Sequence, residues 1–187
     1  FTKIISLDKH NKTIRLQPGV IRDELNDYLK PFGLFFGPNT STSNRCMIGG
    51  MVGNNSSGTT SIQYGVTRDK VLQINAILSD GSSAIFKEIS SEDFIQKTKL
   101  DTLEGKIYKS ILDELSISSV QKSILKDFPD ASVHRRNTGY AVDVMLNQKP
   151  FNPEGEEFNI AKLLAGSEGT LAFTTSITFS VVPIPPK

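Results

Sequence analysis

The sequence has little of what holds metals or closes covalent links. Its single cysteine, Cys46, excludes an internal disulfide, an iron–sulfur cluster held within this chain and a cysteine-rich zinc site. A lone cysteine also fits a reducing compartment. The two histidines, His10 and His134, form no ligand-spaced pair, so no metal is expected. Twenty-one basic residues nearly balance twenty acidic ones, and no basic run is long, which leaves no electrostatic case for nucleic acid. No apolar run approaches the length of a membrane span. No signal peptide is visible, and the chain opens abruptly on the strand-like run FTKIISLD, as a piece cut from a longer protein would. The expected location is the cytoplasm, with membrane association left open for the full-length protein. No nucleophile sits beside an obvious base, so the catalytic residues are unknown from the sequence.

What the sequence has in abundance is small residues between Gly37 and Val71. Gly49, Gly50, Gly53, Gly58 and Gly65 alternate there with Asn54, Asn55, Ser56, Ser57, Thr59 and Thr60, and only Ile48, Met51 and Val52 offer an apolar grip. Glycine lets another body approach the backbone, and successive free N–H groups suit an anion such as phosphate. The stretch reads as the holder of a phosphorylated cofactor, or else as a mobile surface loop. Two sharper motifs fail. Gly53 and Gly58 have P-loop spacing, but Thr59 stands where the lysine belongs, and no G-x-G-x-x-G occurs.

The rest of the chain alternates strands and helices. Ile4–Leu7 and Thr13–Leu16 read as strands, and Ile21, Leu25 and Leu29 as one helical face ending at Pro31–Gly33. Val71–Leu78 and Ala84–Ile89 flank the hairpin signal Asp80-Gly81. Ser90 with Asp93 opens a helix, and Ile107, Ile111 and Leu115 mark another. A third helix, carrying Ile124 and Leu125, stops before Pro129. A second glycine turn, Gly166–Thr170, feeds the clearest strand. Leu171, Phe173, Ile177, Phe179 and Val181 are expected on one of its faces. Pro183-Ile184-Pro185-Pro186 reads as an exit linker. Without a strict β–α–β rhythm, the expected fold is α+β, with a mixed, mostly antiparallel sheet flanked by helices. Glu168 reads as a hydrogen-bond acceptor in its turn or as an acid–base group, and Tyr64 and Tyr140 as packing or hydrogen-bonding residues.

PGV (Pro18–Val20), GPNTS (Gly37–Ser41), CMIGGMVGNNSSG (Cys46–Gly58), YGVTRDKV (Tyr64–Val71), RRNTGY (Arg135–Tyr140) and LLAGSEGTLAFTT (Leu163–Thr175) stand in that order along the chain. In this combination the chain resembles the FAD-linked oxidases and dehydrogenases of the vanillyl-alcohol-oxidase type, with a PCMH-type FAD-binding domain. It is most similar to the D-lactate, glycolate and D-2-hydroxyglutarate dehydrogenase branch, and in particular to large members with a C-terminal iron–sulfur domain.

The resemblance implies FAD as cofactor. It implies that Thr42 to Cys46, Ile48, Gly49 and Gly50 lie along the flavin and its ribityl chain, that Gly53, Asn54, Asn55, Ser56 and Gly58 lie near the pyrophosphate and ring, and that Pro38 is a further cofactor-binding residue. It implies that Glu168, Gly169, Thr170, Phe173 and Thr174 surround the adenosine end. Tyr64, Gly65 and Arg136 are weaker candidates. The expected organisation is a partial FAD-binding domain over residues 1–187, its second subdomain, with the pyrophosphate-gripping first subdomain and the substrate domain both missing. An iron–sulfur cluster belongs at most to the full-length protein. The implied partners are FAD, a small 2-hydroxy acid, the missing subdomains and an electron-acceptor protein or quinone. The implied activity is FAD-dependent oxidation of a CH–OH group, with the fragment alone inactive. The rival reading is a non-catalytic FAD-holding electron-transfer subunit or scaffold.

Overall fold

The computed structural model describes residues 1–130, 132–133 and 139–185. Its elements are β1 (Ile4–Asp8), β2 (Thr13–Leu16), α1 (Arg22–Leu29), a 3-10 turn (Lys30–Phe32), β3 (Leu34–Phe35), α2 (Ile48–Gly53), α3 (Ser61–Tyr64) and α4 (Thr67–Lys70). There follow β4 (Val71–Ile77), β5 (Ser83–Lys87), α5 (Ser91–Lys97), α6 (Leu103–Leu115) and α7 (Ser118–Asp127). The remainder is α8 (Val142–Leu146), α9 (Ala161–Leu164), β6 (Phe173–Ser180) and β7 (Val182–Pro183).

Five strands form one sheet in the order β1-β2-β6-β4-β5, each neighbouring pair antiparallel. β6 sits at its centre, which explains why it is the most regular strand in the sequence. One face is apolar: Ile14, Leu16, Val71, Ile74, Phe86, Ile177 and Phe179 are all within 1% of full burial. They share a single core with Leu25 and Leu29 of α1, Met51 and Val52 of α2, Phe94 of α5, Tyr108 of α6 and Leu164 of α9. The other face carries Arg15, Gln73, Asn75, Ser176 and Thr178, matching the one-sided burial open to antiparallel sheets. The α+β expectation therefore holds.

Helix ends follow the sequence signals. The Ser90 hydroxyl accepts from Asp93 N at the start of α5, and Thr102 Oγ1 from Gly105 N at the start of α6. Gly33 closes the 3-10 turn in the left-handed region at φ 69°.

Two local expectations are corrected. Thr174 and Ser176 of β6 pair with the adjacent residues Ala76 and Asn75 of β4, so Thr175 is an extra residue in the ladder. This bulge reverses the alternation. Phe173 is thrown onto the outer face, 58% exposed and edge-on to Phe1, instead of sharing the buried face of Ile177. The Pro183 region is not a bare linker either. Val182 and Pro183 pair with Phe35 and Leu34, and Ile184 N donates to Gly33 O, so this stretch is zipped to β3 and the glycine before it. A proline is tolerated there because β7 lies in a two-stranded edge ribbon.

Candidate functional site

The glycine-rich stretch is not a loose loop. It begins by wrapping Asn39 over Gly58: Asn39 Oδ1 accepts from Thr60 Oγ1 at 2.9 Å, and Thr60 Oγ1 also reaches Gly37 O at 2.9 Å. A side chain at Gly58 would run into the backbone carbonyl of Asn39, so glycine is required by backbone packing. Thr42–Cys46 is a turn, closed by Cys46 N donating to Thr42 O at 2.8 Å. Thr40 Oγ1 contacts Cys46 Sγ at 3.2 Å. The turn is anchored to α1, with Ser43 Oγ donating to Asp23 Oδ2 and Arg22 N to Cys46 O.

α2 then starts against Pro18-Gly19-Val20. Ile48 N donates to Val20 O and Gly49 N to Pro18 O. Gly49 faces Pro18 so closely that a Cβ would stand 2.6 Å from the proline ring. Gly50, one residue on, meets nothing within 4 Å and is exposed. Ile48 packs its side chain into the core. Of the predicted ligand residues here, Gly50 thus has the openness that a bound body needs, and Ile48 can offer only its backbone.

Asn55 and Ser56 are buried, whereas Asn54 is exposed. Asn55 adopts φ 48°, a left-handed conformation that asparagine tolerates better than most residues, and its Oδ1 accepts from Arg68 N at 2.8 Å. Ser56 O accepts from both Thr67 N and Thr67 Oγ1. These residues therefore shape the stretch from inside.

The second glycine segment comes to the first. Gly166 N donates to Val52 O and Glu168 N to Gly53 O, each at 2.9 Å. Glu168 stands at φ 53° and Gly169 at φ 73°, and nothing lies within 4 Å of where a Gly169 side chain would begin. Glu168, Gly169 and Thr170 are exposed, and Thr174 is half-buried. Tyr140 Oη lies 2.6 Å from Thr170 Oγ1, which ties the end of RRNTGY to this turn. The other residues of that motif, Arg135–Thr138 with the candidate Arg136, lie outside the described residues, as does His134. Tyr64 stacks edge-on with Phe35 at 5.0 Å, a packing role. Gly65 sits at φ 75° with Asp69 Oδ2 against it.

One residue at the centre escaped the sequence reading. Arg68 is 4% exposed, and its guanidinium donates to the carbonyls of Lys162, Ala165 and Gly139. Lys162 Nζ in turn donates to Arg68 O at 3.1 Å. Burial pushes the Lys162 amine below the usual lysine value, against the pull of Asp69. Nothing in TRDKV marks this arginine as buried, since Asp69 and Lys70 beside it read as an ordinary charged turn.

An apolar groove of about 410 Å³ between β5, α6 and α9 reaches Leu171 and Ala172, but no residue of 37–71 lines it. The joined glycine segments leave Gly50, Asn54 and Glu168–Thr170 exposed as an open surface cradle. Among the described residues no cluster of His, Cys, Asp or Glu could hold a metal ion. Among them, too, no helix is long and apolar enough to cross a membrane.

Comparison with known proteins bears on what such a cradle holds. Residues 1–85 match the family of the FAD binding domain. The chain is 36% identical to D-2-hydroxyglutarate dehydrogenase of Haemophilus influenzae over 98% of its own length and 17% of that protein. It is 37% identical to glycolate oxidase subunit GlcD of Bacillus subtilis over 42% of this chain and 17% of that one. A solved structure of alkyldihydroxyacetonephosphate synthase overlays the whole chain and 22% of its own, with a TM-score of 0.56 at 16% identity, a likeness of fold alone. The chain spans about a sixth of the length of the D-2-hydroxyglutarate dehydrogenase it matches.

Proposed function

We propose, from the match of residues 1–85 to the FAD binding domain family, that this chain holds FAD for a flavoprotein dehydrogenase of 2-hydroxy acids. The observation that carries the reading is the junction of the two glycine segments through Val52–Gly166 and Gly53–Glu168. It sets the end of α2, with exposed Asn54, against the exposed turn Glu168–Thr170, residues far apart in the sequence. Gly50 and Gly169, both with open space where a side chain would stand, fit a ligand pressed against main chain.

Pro38, Thr42, Cys46 and the backbone of Ile48–Gly50 would hold the flavin and ribityl chain. Gly53, Asn54 and Gly58 would face the pyrophosphate and ring, with Asn55 and Ser56 shaping the backbone beneath them. Glu168–Thr170, Phe173 and Thr174 would hold the adenosine end. FAD, when bound, supplies a two-electron acceptor for oxidation of a CH–OH group. The chain's own part is to orient the cofactor on rigid backbone. Residues 1–187 are read as part of a larger FAD domain, with the substrate pocket formed elsewhere in the protein, as the relatives' greater length supports. D-2-hydroxyglutarate is the favoured substrate, because the relative of that name aligns over 98% of this chain and the one named for glycolate over 42%.

The test is a visible absorption spectrum of the intact protein, followed by anaerobic addition of D-2-hydroxyglutarate, D-lactate and glycolate. A flavin spectrum bleached first by D-2-hydroxyglutarate is the expected result. A flavin that no 2-hydroxy acid reduces would move the protein to the role of an electron-carrying subunit. Absence of any flavin would overturn the cofactor reading.

A further inference from the structure

We infer that Arg68 is a positioning residue for the FAD cradle, setting where the turn Gly166–Thr170 stands relative to α2. The inference rests on the FAD reading above.

The physical case starts from the fork of the guanidinium. Nε donates to Lys162 O and Ala165 O, both at 3.0 Å, while Nη2 donates to Ala165 O at 2.6 Å and to Gly139 O at 3.1 Å. One rigid planar group thus fixes three separate backbone points, a task that a lysine ammonium on a flexible stem performs poorly. The arginine is itself fixed at both backbone ends. Asn55 Oδ1 accepts from its N–H, and Lys162 Nζ donates to its carbonyl. The chain of contacts therefore runs from Asn55, inside the first glycine segment, to the turn that begins the second.

Gly166 shows how tight the junction is. It sits at φ 104°, and a Cβ there would stand 2.5 Å from Arg68 Nη2 and 2.6 Å from Gly139 O. The very next link, Gly166 N to Val52 O, joins the turn to α2. Tyr140, beside Gly139, reaches Thr170 on the far side of the same turn. Moving the guanidinium would displace the Gly166 and Tyr140 anchors of Glu168–Thr170 together. The exposed cradle depends on a buried cation that need not touch the ligand.

The test uses the intact protein and four variants: Arg68→Lys, Arg68→Met, Gly166→Ala and the core control Ile177→Val. Folding is followed by circular dichroism and thermal melting, FAD affinity by quenching of flavin fluorescence, and kcat and KM for D-2-hydroxyglutarate at saturating FAD. The expected result is an FAD affinity lower by about tenfold or more in folded Arg68→Lys and Gly166→Ala, the size expected for losing bonds to a charged group. The KM for the hydroxy acid should not change at saturating FAD, and Ile177→Val should keep wild-type FAD affinity. Arg68→Met, which lacks the charge entirely, should bind FAD no better than Arg68→Lys. Folded Arg68 variants with wild-type FAD affinity would overturn the inference, as would an equal loss in Ile177→Val, which would show general loosening. Wild-type protein that binds no FAD would instead remove the FAD reading itself.

Discussion

Glu168 donates its backbone N–H to the carbonyl of Gly53 at 2.9 Å. Through this bond the end of a short glycine-rich helix and a left-handed turn from the other end of the sequence form one surface. Neither segment is useful alone: each is small-residue backbone with little side-chain chemistry. Joined, they bring exposed Asn54 beside exposed Glu168–Thr170.

Gly49 and Gly50 should respond in opposite directions to the same substitution. Gly49→Ala drives a methyl into Pro18 and should cost about 1–3 kcal/mol of stability, the usual penalty of overpacking. Gly50→Ala meets open space inside a helix and should gain roughly 0.5–1 kcal/mol by reducing backbone freedom in the unfolded chain. Yet Gly50→Ala should weaken FAD binding, because the methyl occupies the space the ligand needs. Chemical denaturation paired with an FAD titration separates the two; a Gly50→Ala protein with unchanged affinity would remove Gly50 from the site.

Asn55 is held by two demands, a left-handed backbone and an acceptor for Arg68 N. Asn55→Ala fails both, and should lose about 2–4 kcal/mol from the strained φ and the orphaned donor together. Asn55→Gly fails only the second, so it should be the milder change by about 1 kcal/mol. Urea denaturation of the two variants gives the order directly; an alanine variant as stable as the glycine one would mean that backbone strain is not what selects this residue.

Much of this was legible in the sequence, and the reasons differ by element. The α1 face of Leu25 and Leu29 and the hairpin across Asp80-Gly81 follow from periodicity and turn chemistry, which are local. The two glycine segments stood out because small residues are concentrated there, although Gly49, Gly58 and Gly166 turn out to be demanded by close backbone packing. Their contact with each other did not, since nothing local encodes a pairing between Gly53 and Glu168. The exposure of Phe173 was likewise hidden, because one extra residue, Thr175, shifts the ladder between Phe173 and Ile177. Arg68 was hidden for a third reason: a buried cation satisfied by carbonyls looks, in sequence, like any surface charge.

Tyr108 offers a test of the core away from the site. Its side chain is fully buried in an aromatic cluster with Phe94 and Phe158, and its hydroxyl has no hydrogen-bond partner among the described residues. Tyr108→Phe removes an unsatisfied polar atom and should be neutral or stabilising by about 1 kcal/mol. Burial also pushes the phenol above its ordinary value of 10.0, the nearby Glu104 carboxylate adding to the shift. The folded protein therefore holds this proton more tightly than the unfolded chain does. That contribution is fully present below pH 10 and is lost as pH rises through the folded-state value. Wild-type stability should fall above pH 10 more steeply than that of Tyr108→Phe, as thermal melts across that range would show. Parallel curves would mean that the hydroxyl is solvated in the native state.

Glu168 poses the sharpest question about the cradle. A glutamate at φ 53° is strained where glycine would not be, by roughly 1 kcal/mol. Its neighbour Gly169 already supplies a free backbone, and Glu168 N meets Gly53 O whatever side chain it carries. Packing gives no reason for the carboxylate either, since the residue is exposed. Strain retained without a structural return points to a use for the side chain at the ligand. Glu168→Gly should therefore raise stability by up to about 1 kcal/mol while lowering FAD affinity. Glu168→Gln keeps the strain and the length but drops the charge. If Gln binds FAD as wild type does and Gly does not, the side chain acts by hydrogen bonding or shape; if both lose affinity equally, its charge is what the ligand meets. A Glu168→Gly protein that is more stable and binds FAD normally would show that the carboxylate has no part in the site.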